Sequence, residues 1–428
     1  MVRSTFAVCL VAFLASHSFA ASDVKTVTLE EALQITLEKN RDIQKAEEYK
    51  NKVMGIYVEQ RAAALPQVTA TGIGARSWDD ALAPINGFGR QETRSLELSL
   101  TQPLYTWGQV EAAMRAAKFG IATAGDQLRF YRQAALRDVS AAFYDALLAR
   151  EFSTIAQQNF DQKTKHLDET RRKFALGVAT EYDVLAAQVA VENAKPDVIR
   201  TENQIRTTRE RLRFLLGISE EQIEVRGQLF ASVEPVEQYD EALRKAHEKR
   251  PELAQLRNQL GLSTELVKVA GAGNKPRLDL RATTGYKTVI LGRDDFNGKT
   301  WSVGLIATFP FFDGFRTKGK VAQAQSDVLS LKIDEAKTLD SISLQVRDTV
   351  NAVKEAEDIA RGLTGTVSQA EKLLQMAEKG YEYGVKTRLE VDDAELNLSS
   401  ARGNLARAYR DYLVAKVTLT WAMGILGE

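Results

Sequence analysis

The sequence has few of the residues that enzymes and metal sites need. It contains 428 residues but only one cysteine and three histidines. The cysteine, Cys9, lies in a leader-like segment, so the rest of the chain can neither form a disulfide nor use a thiol nucleophile. His166 and His247 stand in charged, helix-like stretches, and neither has a partner at metal-ligand spacing. We therefore predict no enzyme activity, no catalytic residue, no cofactor and no metal site.

Net charge is absent, and so are long apolar runs after residue 20. Lys+Arg and Asp+Glu both number 57, so no net electrostatic attraction draws the chain to nucleic acid. No stretch beyond residue 20 reaches the roughly 18 consecutive apolar residues of a membrane-spanning helix. The sequence therefore predicts no nucleic-acid partner and no transmembrane helix.

Residues 1–20 are predicted to be a secretory signal peptide. Arg3 precedes an apolar run over residues 6–15, and Ser18, Phe19 and Ala20 form a small-x-small cleavage pattern. The alternative is a buried core helix. We expect an exported protein that is cut after Ala20.

The remainder of the chain contains an internal repeat. Landmark residues keep one order and one spacing of about 210 residues, as expected of a duplicated unit. These pairs are Pro66 and Pro276, Pro103 and Pro310, Gly177 and Gly384, and Gly217 and Gly424. We predict a tandem duplication with a first repeat over residues 21–235 and a second over residues 236–428.

Each predicted repeat contains a pair of strands after its first helical segment. Residues 94–101 and 277–282 alternate polar and apolar side chains, whereas residues 68–75 do so more weakly because two glycines interrupt them. Such alternation over about 8–10 residues is typical of transmembrane strands. We predict strand pairs at about 67–102 and 277–309. Four prolines mark the predicted junctions between strands and helices: Pro66, Pro103, Pro276 and Pro310.

A long helical hairpin follows each strand pair. Residues 109–175 contain no proline, and a helix of this length would extend about 100 Å, far beyond a globular domain. Such a helix must pack along others as a coiled coil. It is predicted to reverse at Gly177 and return to Gly217, and the second hairpin to reverse at Gly384 and return to Gly424.

Both predicted reversals have the pattern GVxT. Glycine suits the left-handed position after a helix, and threonine suits the start of the next helix. Thr180 with Asp183, and Thr387 with Glu390, have the spacing of a capping box. Capping alone therefore explains Asp183 and Glu390, whereas Asp393 has only a general preference of acids for a helix N-terminus.

Five stretches together resemble the TolC family of outer membrane efflux channels. They are TLEEALQITLEKN, LTQPLYTWGQV, FALGVATEYDVLAAQ, ATFPFFDGFRTKG and YEYGVKTRLEVDDAE. Their order extends across essentially the whole chain after the leader. The sequence departs from the family at Asn40, which is followed by Arg41 instead of proline, although Arg250 is followed by Pro251.

The resemblance implies a mixed α and transmembrane β fold in a homotrimer. Each chain would contribute four strands to one 12-stranded barrel in the outer membrane of a Gram-negative bacterium, in contact with its lipid. The helices would continue this barrel as a coiled-coil tunnel through the periplasm. Four strands are too few to close a membrane barrel alone, since about eight is the minimum.

The resemblance also implies the function and the partners. The trimer would be an exit duct for substrates of an inner-membrane pump, of the RND or ABC type, joined through a periplasmic adaptor in efflux or type I secretion. The alternative is a periplasmic coiled-coil adaptor or scaffold. Such a protein would lack the duplicated strand pairs.

The resemblance assigns roles to residues near the two reversals. Glu390 and Asp393 match acidic positions that form rings at the periplasmic constriction. Asp183, Tyr381 and Lys386 match a gate network that links neighbouring hairpins. Lys386 replaces the arginine usual in the family, so it cannot form a bidentate bond there. The expected adaptor-contact tips are Gly177, Val178, Ala179, Thr180, Gly384, Val385 and Thr387.

Overall fold

The computed structural model describes residues 25–78, 80, 90–218, 222–230, 236–291 and 294–427. The predicted signal peptide lies outside the described residues. The first half comprises β1 (Lys25–Val27), α1 (Leu29–Lys39), α2 (Arg41–Ala62), β2 (Gln67–Trp78), β3 (Arg90–Tyr105), α3 (Gln109–Ala175), α4 (Glu181–Leu216) and β4 (Ile223–Val225). The second half comprises α5 (Tyr239–Lys249), α6 (Pro251–Gly271), a 3-10 turn (Ala272–Asn274), β5 (Arg277–Leu291), β6 (Asp294–Thr308), α7 (Arg316–Glu382) and α8 (Arg388–Ala422).

Both halves share a common series of helices and strands in the same order, to which the first half adds β1 and β4. Two short helices precede a strand pair, and a helical hairpin follows it. The predicted internal repeat is therefore confirmed.

Among the helices in the described part of the chain, none is long and apolar enough to cross a membrane.

The two strand pairs join into one antiparallel sheet with the order β2-β3-β5-β6. Gln67 pairs with Thr101, Leu96 with Tyr286, and Arg277 with Thr308. The strands have 12 to 16 residues and so extend beyond the alternating segments. Within the described residues, β2 and β6 each pair on one side only, so the sheet keeps two free edges.

The sheet exposes apolar side chains from alternate positions of its strands. Leu96 and Leu98 of β3 are 63% and 49% exposed, and Val303 and Leu305 of β6 are 65% and 63% exposed. A soluble monomer rarely leaves such a band of apolar side chains uncovered. This band suits contact with lipid.

Two long hairpins form the rest of the molecule. α3 and α7 have 67 residues each, and at 1.5 Å per residue each is about 100 Å long. α4 returns along α3, and α8 returns along α7. α3 also packs against α8, so this pair joins the first hairpin to the second.

The main cores lie where the short helices meet the hairpins. In the first repeat, Val139 and Phe143 of α3 pack with Leu212 and Leu216 of α4. β1 and β4 pair in parallel beside this core. In the second repeat, the core contains Val346 and Val350 of α7 and Tyr412 of α8. Each hairpin is therefore anchored by a buried core at the place where the short helices contact it.

The joint between the two short helices caps the end of each returning helix. The Asn40 side-chain amide donates to the Leu215 carbonyl at 2.7 Å, and its oxygen accepts from the backbone N–H groups of Asp42 and Ile43. Arg250 occupies the matching joint and donates to the Ala422 carbonyl at 2.6 Å. Asn40 therefore starts α2 by side-chain capping, and the proline missing after it is not needed there.

Candidate functional site

The two helix reversals have the same backbone geometry. Gly177 and Gly384 have φ angles of 74° and 73°. The N–H of Gly177 donates to the Phe174 carbonyl, and the N–H of Val178 donates to the Lys173 carbonyl, both at 2.9 Å. The second turn repeats this pair of bonds, which is a Schellman motif. The positive φ explains why glycine occupies both positions.

Capping boxes start both returning helices, as their sequences indicate. Thr180 donates its backbone N–H to the Asp183 carboxylate at 2.8 Å, and the Asp183 N–H donates to the Thr180 hydroxyl at 3.2 Å. Thr387 and Glu390 form the same two bonds at 2.8 and 3.4 Å. We define the first tip as residues 176–183 and the second tip as residues 383–390.

Both tips project large apolar side chains into solvent. Leu176 and Val178 are 79% and 76% exposed, and the matching Tyr383 and Val385 are 81% and 76% exposed. Apolar side chains gathered at the ends of two long hairpins are suited to contact with a partner protein.

Three acids lie in the first two turns of α8, and they differ in their partners. Glu390 accepts from Lys386 Nζ at 2.5 Å, and Asp392 accepts from Arg388 Nη2 at 2.8 Å. Asp393 is exposed and has no hydrogen bond or ion pair to any described residue. Its charge is therefore the least neutralised of the three.

The predicted gate network is only partly assembled within one chain. Asp183 and Tyr381 line a single cleft of about 370 Å³ between the two hairpins. Lys173 lies over the Tyr381 ring, with its ammonium 5.4 Å from the ring centroid. Lys386 instead forms an ion pair with Glu390 on its own hairpin.

The tip acids respond to pH in a defined direction. The hydrogen bond from Lys386, followed by those from Thr387, lowers the pKa of Glu390 to about 2. Hydrogen bonds from Thr180 likewise lower the pKa of Asp183. A carboxylate whose pKa falls on folding stabilises the folded form above its ordinary pKa, and this stabilisation is lost as the pH falls toward the folded pKa.

We expect acid to loosen the second tip in a stepwise manner. Hydrogen exchange of the amides in residues 384–390, corrected for intrinsic rates, should stay slow above about pH 4.5 and accelerate toward about pH 2. Glu390→Gln should remove this step, because it removes the ionised acceptor. Lys386→Met should only reduce it, since Thr387 still donates. A full step in Glu390→Gln would contradict the assignment.

An ionic cluster near the second tip, which contains one buried carboxylate, was not predicted from the sequence. Arg388 contacts both Asp392 and Glu395, and Gln162 of α3 donates to Glu395 at 2.7 Å. His166 of α3 lines the adjoining cleft. The only sequence signal was the spacing of Arg388, Asp392 and Glu395 on one helix face.

The four junction prolines lie near the strand ends. Pro66 and Pro276 directly precede β2 and β5, and Pro310 lies two residues beyond the end of β6. Pro103 differs because it lies within β3, paired with Asp279, and the register shifts between Pro103 and Tyr105. A proline is tolerated at such an irregularity because its missing N–H interrupts the ladder only locally.

No metal site is found in the described ranges, where no group of three or more His, Cys, Asp or Glu side chains could hold an ion.

Comparison with known proteins gives a consistent family assignment. The family model described as "Outer membrane efflux protein" matches residues 32–218 and 242–425. The chain is 25% identical to Outer membrane protein TolC of Escherichia coli (strain K12), over 86% of this chain and 76% of that protein. It is 28% identical to Alkaline protease secretion protein AprF of Pseudomonas aeruginosa, over 86% of this chain and 78% of that protein.

A solved structure shares the fold at lower sequence identity. The CmeC outer membrane channel of Campylobacter jejuni superimposes with a TM-score of 0.81 at 17% identity, over 92% of this chain and 85% of that chain.

Proposed function

The chain belongs to the outer membrane efflux protein family, and from this premise we propose that its two hairpin tips form the gate of an export channel. The protein is not an enzyme; it is an outer membrane channel-tunnel for efflux or secretion. It acts as a homotrimer with a periplasmic adaptor and an inner-membrane pump.

The four-stranded sheet is the observation that supports a trimeric channel. It has two free edges within the described residues and an exposed apolar band. Free edges in a membrane would leave backbone groups without hydrogen bonds, which is costly in lipid. Four strands cannot close a barrel, whereas three copies supply twelve. A periplasmic adaptor or scaffold would need no such sheet, so this alternative is set aside.

The tips lie at the ends of the hairpins away from the sheet. Their exposed side chains, Leu176 and Val178 on one tip and Tyr383 and Val385 on the other, provide the surface for the adaptor. The glycines and threonines of the two GVxT turns hold this surface in place. Pro66, Pro103, Pro276 and Pro310 mark the passage from barrel to tunnel.

The start of α8 supplies the charge at the constriction. Three copies of Glu390 and Asp393 would give six carboxylates around the axis, and such a ring favours cations. Glu390 is partly neutralised by Lys386, so Asp393 carries most of the selectivity. In the assembled trimer, contacts between neighbouring hairpins hold the tips closed. These contacts are made by Asp183, Tyr381 and Lys386.

Membrane fractionation followed by gel electrophoresis tests the proposed assembly. The protein should be found in the outer membrane and should migrate without heating as a trimer that heating converts to a monomer. Recovery as a soluble monomer would contradict it.

A further inference from the structure

A buried carboxylate connects the two hairpins close to the second tip. The Glu395 side chain of α8 is 5% exposed. Its Oε1 accepts from Gln162 Nε2 of α3 at 2.7 Å and lies 3.3 Å from Arg388 Nη2. Its Oε2 lies 3.7 Å from Lys163 Nζ of α3. Glu395 is five residues beyond Glu390, about 7 Å along α8. It therefore lies just inside the proposed constriction.

This carboxylate has few hydrogen bonds for a buried charge. Glu395 Oε2 is buried and accepts no hydrogen bond from the described residues, and Arg388 Nε is buried without an acceptor. A buried carboxylate needs several donors to replace the water it has lost. Its ionised form therefore keeps a desolvation cost that the donors to Oε1 and the ammonium of Lys163 only partly offset.

The charged groups around Glu395 shift its pKa in two opposite directions. Burial raises the pKa of Glu395, and Asp392 and Glu378 act in the same direction, whereas Arg388 and Lys163 oppose them. Arg388 also binds Asp392 at 2.8 Å, so this arginine stabilises the ionised form of Glu395 less strongly. The other titratable side chains that line the adjoining cleft are Lys165, His166, Glu169, Lys173, Tyr381 and Glu382.

We propose that Glu395 is a proton-responsive positioning residue of the gate, whose protonation tightens the contact between α3 and α8 and favours the closed tips. The inference rests on the proposed function, because it equates opening with the parting of the hairpins. Separation of α3 from α8 would return water to Glu395 and remove Gln162 as its donor.

The direction of the pH effect follows from linkage. The closed form binds the proton more tightly than the open form, because the pKa of Glu395 is raised when it is buried. Falling pH therefore favours closure over the range between the raised pKa and the ordinary value of about 4.5. Within that range, each copy shifts the ratio of closed to open channels by up to about tenfold per pH unit.

Conductance of the purified trimer in planar bilayers tests the proposal. Wild-type conductance should fall as the pH is lowered from about 7.5 to about 5. Glu395→Gln keeps the bond with Gln162 without the charge, so its conductance should already be low at about pH 7.5 and should lose this response. Arg388→Leu leaves the ionised carboxylate with less compensation, so its conductance should be higher at about pH 7.5 and should fall on acidification.

Two control variants isolate Glu395 from other acids and bases. Glu241 of α5 binds Arg244 on the same helix and cannot join the hairpins, so Glu241→Gln should respond as wild type does. His166→Gln should also keep the fall in conductance, because burial lowers the pKa of His166 and its protonation in acid would therefore favour opening, not closure. All variants should retain the heat resistance of the wild-type trimer.

The experiment distinguishes a failure of the role of Glu395 from a failure of the proposed channel function. A Glu395→Gln trimer with the wild-type pH response, or an Arg388→Leu trimer that stays open in acid, would overturn the role of Glu395 and leave the channel intact. A wild-type protein that forms no channel would contradict the proposed function itself.

Discussion

Joining the two tips by a covalent bridge should abolish export. Ala179→Cys combined with Lys386→Cys places one thiol in each tip turn, outside the helices. The only native cysteine, Cys9, lies in the predicted signal peptide, so the two introduced thiols would react alone in the exported chain. A bifunctional thiol reagent should reduce pump-dependent export to the level of cells without the protein. The physical reason is that, in the proposed gate, the tips part before cargo can pass.

Matched single variants complete this experiment. Ala179→Cys and Lys386→Cys, each treated with a monofunctional thiol reagent, should export normally because no bridge can form. Full export by the crosslinked double variant would show that the tips do not gate the channel.

Reversing the charge of Asp393 should change ion selectivity strongly. Asp393 is exposed and has no ion pair to a described residue, so at the proposed constriction its charge would act on passing ions without compensation. Asp393→Lys places three cations where three anions stood, and such a reversal changes the local potential by several kT. The cation-to-anion permeability ratio, measured from reversal potentials in a salt gradient, should fall by roughly tenfold.

Asp240 provides the matched control for this measurement. It is also an exposed acid near the N-terminus of a helix, but it lies on α5, distant in sequence from the tips. Asp240→Lys should leave the permeability ratio unchanged. An unchanged ratio in Asp393→Lys would remove Asp393 from the constriction and leave it as an acid at a helix N-terminus.

The hairpin reversals could be predicted because local chemistry determines them. A helix that ends with left-handed geometry favours glycine, and Gly177 and Gly384 both have that geometry. A capping box needs only two residues three positions apart, so Thr180 with Asp183 and Thr387 with Glu390 were visible in the sequence. None of these features depends on distant parts of the chain.

The strand lengths and the ionic cluster depend on distant parts of the chain. β3 continues to Arg90 and Tyr105, beyond the alternating residues 94–101, because backbone pairing with β2 and β5 does not require alternation. Arg388, Asp392 and Glu395 have the spacing of a solvated helix face. Only the packing of α8 against α3 buries Glu395 beside Gln162, about 230 residues earlier in the chain.

The proposed gate assigns tip closure and ion selectivity to neighbouring groups of residues. In this proposal, the turns and exposed apolar side chains of the tips contact the adaptor, and Asp393 sets the ion selectivity. Glu390 is bound by both Lys386 and Thr387, so its first role is to stabilise the start of α8. This division explains why two acids three residues apart are expected to respond differently to substitution.

Conductance across a reversible crosslink tests the gate most directly. The purified Ala179→Cys and Lys386→Cys trimer, joined by a reagent with a reducible linker, is recorded in a planar bilayer before and after reduction. The proposed gate predicts a small conductance while the tips are joined and a clear rise when the linker is cleaved. Equal conductance in both states would contradict a gate at the tips.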